Sequence, residues 1–147
     1  MMIPAEYDEI RPYVAEEIPQ ICEELIADPE FRTVIGYVFK DIPFEYVAAQ
    51  MRSAKDNLEF QKRLIYPFIK GVLQKLSSGL TVSIENKERM KESLCISNHR
   101  DIIMDSALLD LLFVEAVGNT VEIAIGDNLL IRPWIKKLVR LNRSFIV

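Results

Sequence analysis

The first 78 residues carry the hydrophobic spacing of amphipathic helices. Apolar residues recur every three or four positions, most clearly over 57–76, and this spacing places side chains on one face of a helix. The sequence therefore predicts an N-terminal helical region over 1–78. Pro67 should kink the helix that contains it, because proline has no amide hydrogen to donate. The apolar face either packs in the protein core, which we favour, or lies on a membrane surface.

Three aspartates predict helix starts within this region. Aspartate caps the free amides of a first turn, and proline fits the first helical position because its missing amide hydrogen leaves nothing unpaired there. A glutamate three residues after the cap completes a capping box. The three predicted starts are Asp28 before Pro29, Asp41 before Pro43, and Asp56 ahead of Glu59.

The hydrophobic pattern changes near Gly79, where short β-branched runs begin to alternate with helical ones. Strands that alternate with helices predict an α/β sheet. The predicted strands are 80–84, 93–97, 120–126 and 144–147, and the predicted helices are 106–118 and 128–142. We therefore divide the chain into the helical region 1–78 and the first part of an α/β domain over 79–147. The last strand has no turn after it, so we expect the domain to be truncated at its C-terminus.

Composition narrows the class of partner and the kinds of site. The net charge of the 147 residues is −4, which argues against nucleic acid, because its binders present a basic surface to phosphates. Cys22 and Cys95 stand far apart, and the chain has one histidine, so we predict no metal site. We expect reduced thiols. Cys95 is either a nucleophile near His99 in the sequence or, as we favour, a buried and inert thiol of its apolar run.

The sequence also predicts where the protein resides. No stretch approaches the ~18 apolar residues of a membrane span. The N-terminal "MMIPAEYDEIRPY" lacks the basic start and apolar core of a secretion signal. We therefore expect a cytoplasmic protein, with at most peripheral contact to a membrane surface.

The single histidine, His99, directly follows the second predicted strand. Asp105 stands six residues later, ahead of a leucine-rich helical run, and is predicted to be the N-cap of that helix. If the chain turns between the two residues, the carboxylate orients the imidazole, whose other nitrogen can take a proton from a hydroxyl. Two interpretations stay open: a general-base dyad at the carboxyl end of a strand, where α/β sheets bind ligands, or a core histidine beside a helix cap.

The segment "LTVSIENKERMKESLCISNHRDIIMDSALLDLL" resembles the first conserved block of the glycerolipid acyltransferase superfamily. That superfamily includes glycerol-3-phosphate and lysophosphatidate acyltransferases. Its usual pattern is Asn-His, four residues, Asp and a leucine-rich helix, and a variant with five intervening residues also occurs. The longer spacing assigns Asp105, whereas the shorter one would fall on Met104. Asp101 is a weaker candidate, because it lies on the tight turn with no helix to position it.

The segment "VEIAIGDNLLIRPWIKKLVRLNRSFIV" is more loosely similar to the second block of the superfamily. The Pro-Glu-Gly block, which the family links to the acceptor phosphate, and the proline-containing fourth block are not found in the chain. The resemblance therefore covers roughly 79–147 and implies a partial acyltransferase-type sheet. Arg140 and Arg143 lie near the expected acceptor block, either as added positive charge or, as we favour, as solvent-exposed arginines.

The resemblance implies an acyltransferase of phospholipid biosynthesis that moves a fatty acyl group to a glycerol-phosphate or lysolipid-type acceptor. Acyl-CoA or acyl carrier protein would be the thioester co-substrate, with no bound cofactor. His99 would be the general base and Asp105 its orienting residue, and Asn98 and Arg100 would contact substrate. The alternative is a non-catalytic acyltransferase-like module that binds lipid, acyl carrier protein or another subunit.

Overall fold

The computed structural model describes residues 3–98, 100–101 and 103–147. Within them the fold is mainly helical and contains one two-stranded parallel sheet. The helices are α1 (Ile18–Ala27), α2 (Pro29–Val38), α3 (Phe44–Ser53), α4 (Asn57–Phe60), α5 (Tyr66–Leu76), α6 (Met104–Val117) and α7 (Pro133–Leu141). The strands are β1 (Ile123–Ile125) and β2 (Ser144–Ile146). This set of helices and strands is compatible with the predicted mixed α/β class.

The chain divides into two compact units. Unit 1 comprises Met1–Leu64 together with Glu122–Val147, and unit 2 comprises Ile65–Val121. The boundary predicted from the sequence, between residues 78 and 79, falls inside unit 2.

The predicted helical character of the N-terminal region is confirmed. Asp28 accepts a hydrogen bond from the amide of Phe31 at 2.9 Å, and Asp56 accepts one from Glu59 at 2.7 Å, so both are helix caps. The predicted cap at Asp41 is wrong. Helix α3 begins later, with Pro43 at its N-cap and no side-chain cap bond.

The stretch 57–76, predicted as one kinked helix, is interrupted before its proline. A π-helical segment, Gln61–Ile65, separates α4 from α5, and Pro67 is the second residue of α5. A proline removes one helical hydrogen bond and its ring crowds the carbonyl four residues earlier, and a wider π turn is one way in which a helix accommodates such a disruption.

Helix α1 lies at the centre of unit 1 and contacts α2, α3 and α7. Proline fits its first turn because amides there have no helical partner. Its residues Ile18, Cys22 and Leu25 are fully buried, and the ring of Phe31 meets Trp134 edge-on with 5.9 Å between centroids. The largest fully buried side chains are Phe31, Phe60, Ile18, Leu25, Met51, Leu141 and Cys22.

The sheet of unit 1 confirms the third and fourth predicted strands. β1 and β2 run parallel, with Ile123 opposite Ser144, and α7 forms part of the connection between them. The amide of Ile146 donates to the carbonyl of Ile10 at 2.9 Å. The N-terminal segment therefore supplies a backbone partner to β2.

Arg140 is not the exposed arginine that we favoured from the sequence. The residue is only 6% exposed. Its Nε donates a hydrogen bond to the carbonyl of Arg11 at 2.7 Å, and a second guanidinium nitrogen donates one to the carbonyl of Asp8. Its guanidinium lies 4.1 Å from the ring centroid of Tyr13. Buried charge is costly without such partners, so Arg140 fastens the N-terminal segment. Arg143 lies 3.7 Å from a carboxylate oxygen of Glu122.

In unit 2, helix α5 packs against α6. The hydroxyl of Tyr66 donates to Glu115 at 3.0 Å. Helix α6 ends as predicted at Gly118, whose φ of +74° suits the left-handed C-terminal position. Asp110, although buried, accepts a hydrogen bond from the amide of Val121 at 3.0 Å.

The predicted strands 80–84 and 93–97 are wrong, since neither segment has strand structure. A strand requires a hydrogen-bonded neighbour, and the sheet present in the described part of the chain joins only β1 and β2. Leu94 and Ile96, which a sheet would half-bury, are each 88% exposed. The polar connector between the two segments forms a 3₁₀ turn, Glu88–Glu92.

Within residues 3–98, 100–101 and 103–147, no helix has the length and apolar character needed to cross a membrane.

Candidate functional site

The candidate motif lies at the N-terminus of α6 in unit 2. Because α6 begins at Met104, Asp105 is its second residue and not its N-cap as predicted. Ile103 holds the N-cap position without a side-chain cap bond, and the side chain that satisfies the amides there belongs to Asp101. Its Oδ1 accepts hydrogen bonds from the amides of Ile103 at 2.9 Å and Met104 at 2.7 Å. Asp101 therefore does have a helix to position it, contrary to the reason for which the sequence disfavoured it.

Asp105 points back over the turn that precedes α6. Its Oδ2 accepts hydrogen bonds from the amides of Arg100 at 2.6 Å and Asp101 at 2.9 Å. Bonds from neutral donors to an ionised carboxylate are shorter and stronger than bonds between neutral groups. The Arg100 amide belongs to the residue that follows His99 in the sequence, so the carboxylate lies at the backbone next to the predicted base.

The structure brings together only part of the predicted site. His99 lies outside the described residues, so its pairing with Asp105 stays a prediction. Asn98 and Arg100 are exposed, and Arg100 contributes its backbone amide to the turn. These contacts do not test whether the two residues contact substrate, so that role stays a prediction.

The two aspartates act on opposite sides of the same turn. Asp101 satisfies amides at the beginning of α6, and Asp105 satisfies amides before it. Amides at a helix start have no helical partner, and negative charge is favourable at this end of the helix dipole. The chain's own carboxylates therefore occupy this helix terminus.

The sequence contains a signal for the role of Asp101, although the pattern alone favours Asp105. Aspartate is a preferred cap when it stands three residues before a helical amide, and Asp101 has this relation to Met104. Asp105 has the same residue type and lies closer to the leucine-rich run. An N-cap role for Asp105 does not predict that its carboxylate accepts a hydrogen bond from the amide of Arg100.

A shallow hollow of about 500 Å³ lies over the 3₁₀ turn of unit 2. Both signs of charge line it, and the Nζ of Lys91 lies 3.1 Å from Glu88. Its lining residues are Glu88, Arg89, Lys91, Glu92 and Ser93. In the described part of the chain, no three acidic, cysteine or histidine side chains gather as metal ligands would, and the expectation of a metal-free site stays a prediction.

Comparison of the chain with protein-family models, curated proteins and solved structures finds no match.

Proposed function

We propose that this chain carries the general-base dyad of a glycerolipid-type acyltransferase. The reaction moves a fatty acyl group from acyl-CoA or acyl carrier protein to a glycerol-phosphate or lysolipid-type acceptor. The observation that supports it most is the bond from the Arg100 amide to Asp105. It holds a carboxylate at the backbone beside the one histidine in the chain, as an orienting aspartate requires.

The proposed chemistry needs one base and no covalent enzyme intermediate. The imidazole of His99 takes the proton of the acceptor hydroxyl, and the oxygen attacks the thioester carbonyl. The C–S bond then breaks, and the imidazolium returns the proton to the leaving thiolate. Asp105 fixes the tautomer in which the basic nitrogen faces the acceptor. Asn98 and Arg100 flank the histidine and contact the substrate.

The proposal includes the partial acyltransferase-type sheet that the resemblance implies. The parallel pair β1 and β2, with α7 in their connection, is the observation in favour of it. Parallel strands joined through a helix are the building unit of such sheets. A lipid-type acceptor would bring the protein into peripheral contact with a membrane surface.

A second candidate is a non-catalytic acyltransferase-like module that binds lipid, acyl carrier protein or another subunit. The four backbone bonds to Asp101 and Asp105 favour it, because a carboxylate that serves the helix start needs no catalytic partner. A binding module would keep its ligand after His99 is removed, whereas an enzyme would lose acyl transfer.

The deciding experiment measures acyl transfer by the purified chain and its variants. Radiolabelled palmitoyl-CoA or palmitoyl-acyl carrier protein is the donor, and glycerol 3-phosphate or lysophosphatidate in vesicles is the acceptor. We expect His99→Ala and Asp105→Asn each to lower kcat/KM by about 10²- to 10⁴-fold, the range of general-base and orienting residues. The control is Asp127→Asn, at an exposed aspartate of unit 1, which should leave the rate unchanged.

Two outcomes contradict the proposal. Transfer that continues at the full rate in His99→Ala would remove the general base. Binding of palmitoyl-CoA or lysophosphatidate vesicles that is unchanged in His99→Ala, in a chain that transfers no acyl group, would support the non-catalytic module instead.

A further inference from the structure

We infer that Asp101 is a positioning residue of the candidate site, holding the turn before α6 in the form that keeps the Asp105 carboxylate on the amide of Arg100, the residue that follows His99 in the sequence. The inference rests on the proposed function for its catalytic meaning. Its structural part, the dependence of Asp105 on Asp101, is testable without any activity.

Three hydrogen bonds make the position of Asp105 depend on Asp101. The Oδ1 of Asp101 holds the amides of Ile103 and Met104, which fixes the start of α6. The amide of Asp101 in turn donates to the Oδ2 of Asp105. Without the Asp101 side chain, two amides lose their acceptor and the first turn of α6 loses its cap. Asp105 belongs to that turn, so its carboxylate would move with it.

The direction of the Asp105 carboxylate depends on the turn. One oxygen, Oδ2, accepts both the Arg100 and the Asp101 amides. Asp105 is only half-buried, so packing alone does not fix the direction of its carboxylate. The turn contributes to that direction by presenting both amides to one oxygen. An orienting carboxylate that loses its direction no longer selects one histidine tautomer.

The chain contains a matched control with the same construction and no histidine beside it. Asp56 accepts from the amide of Glu59 at 2.7 Å, and the Oε2 of Glu59 accepts from the amide of Lys55 at 3.1 Å. At the start of α4 in unit 1, as at the start of α6, one carboxylate thus accepts from an amide of the first turn and a second carboxylate accepts from an amide that precedes the helix. Asp56→Ala removes a comparable cap without touching the candidate site.

The test uses the fact that the chain has one histidine, whose imidazole gives a single set of ¹⁵N signals. In the unmodified chain at neutral pH we expect the Nδ1–H tautomer, because Asp105 accepts that proton. Asp101→Ala should shift the population towards the Nε2–H tautomer that free imidazole side chains prefer, and kcat should fall about 10- to 100-fold with KM little changed. Asp101→Asn keeps an oxygen acceptor and should restore most of both. Asp56→Ala should change neither.

A second variant protects the test against loss of fold. If Asp101→Ala does not fold, Asp101→Glu keeps the charge but sets the carboxylate one methylene farther out, and it should shift the tautomer in the same direction. An unchanged tautomer in the folded Asp101→Ala or Asp101→Glu chain would overturn the inference. An equal shift in Asp56→Ala would also overturn it, because the effect would then be one of general stability.

The failure of this inference and the failure of the proposed function are distinguishable. If the tautomer responds to Asp101 but no acyl transfer occurs, the positioning role stands and the proposed function fails. If His99→Ala and Asp105→Asn abolish transfer while Asp101→Ala alters neither tautomer nor kcat, the dyad stands and the positioning role fails.

Discussion

The two units of the molecule differ in how much apolar surface they bury. Unit 1 contains every fully buried large side chain of the described residues, and α1 brings several of them together. Among the described residues of unit 2, the buried apolar ones are Ile69, Leu111 and Phe113. The candidate site belongs to unit 2, so the predicted chemistry lies where burial contributes less.

The two units also differ in the hydrogen bonds that hold their irregular segments in place. In unit 1 the buried guanidinium of Arg140 fastens the N-terminal segment through the carbonyls of Asp8 and Arg11. In unit 2 the turn before α6 depends on exposed bonds to Asp101 and Asp105. Segments with few buried contacts open at low free energy, and binding and catalytic segments commonly have this property. We expect the difference between the units to appear in three measurements.

The largest expected difference is in the reactivity of the two cysteines. Cys22 in unit 1 is completely buried, and burial raises the pKa of its thiol to about 11. Because the thiolate is the reactive form, roughly one Cys22 in a thousand would be ionised at pH 8 even before access is considered. Cys95 in unit 2 is exposed, contrary to our expectation from its apolar run. We expect it to react with a thiol reagent at least about 100-fold faster than Cys22.

The measurement is a titration of the native chain with an aromatic disulfide reagent, followed by the same titration in denaturant. One thiol should react at once and the second only after unfolding. Cys95→Ser should abolish the fast phase and Cys22→Ser the slow one. Rapid reaction of both thiols in the native chain would show that unit 1 does not protect its core.

A pair of isoleucines provides the next largest difference. Ile18 in α1 is fully buried, whereas Ile96 in unit 2 is 88% exposed. Ile18→Ala should lower the free energy of unfolding by about 2–5 kcal/mol, because it removes buried methyl groups and leaves a cavity. Ile96→Ala should change it by less than about 0.5 kcal/mol. Urea denaturation of both variants measures the two values.

This pair also tests the strand that the sequence predicts over 93–97. A strand in a sheet would bury alternate side chains on one face, and Leu94 and Ile96 would lie on the same face. If Ile96→Ala proved as costly as Ile18→Ala, the segment would be buried in solution and the sequence-based interpretation would be correct.

The sequence-based predictions are confirmed where the signal is local and fail where the structure depends on a distant partner. Helical spacing and caps such as Asp28 and Asp56 are local, and the helices of 1–78 form near the places predicted. The strands at 123–125 and 144–146 were also predicted, and each has the other as a partner. The segments 80–84 and 93–97 have similar patterns but no paired neighbour among the described residues, and a sequence pattern does not reveal whether a neighbour is present.

The position of Asp105 at the start of α6 was predictable from the sequence, but the hydrogen bonds around it were not. The motif identified Asp105 beside the leucine-rich helix, and the structure places that carboxylate on the Arg100 amide. The motif did not identify Asp101 as the residue whose side chain accepts from the amides at the start of α6. Two aspartates four residues apart both satisfy the preference for an acidic helix start, and only the exact first residue of the helix distinguishes them. Element boundaries are least predictable where they depend on a single turn.

The smallest expected difference is between two ion pairs. In unit 1 the carboxylate of Glu17 accepts from Arg11 at 2.7 Å and from the amide of Val14 at 2.8 Å. The hydrogen bond from Arg11, aided by that from Val14, lowers the pKa of Glu17 below its ordinary value, although desolvation opposes the shift. In unit 2 the Nζ of Lys70 lies 3.6 Å from Glu115, and both side chains are about half exposed.

A group whose pKa is lower in the folded state stabilises the fold above its unfolded pKa, and the contribution is lost as the pH falls through the folded pKa. Glu17→Gln should therefore lower the free energy of unfolding at pH 7 by up to about 1 kcal/mol, since solvent screens this partly exposed pair. The difference from the unmodified chain should shrink from just above pH 4.5 downwards. Glu115→Gln should cause no measurable change at either pH. Urea denaturation of both variants at pH 7 and at pH 3 measures the two changes in the free energy of unfolding. An equal decrease for both variants at pH 7 would mean that the shorter hydrogen bonds of the Glu17 pair add no stability beyond that of an exposed ion pair.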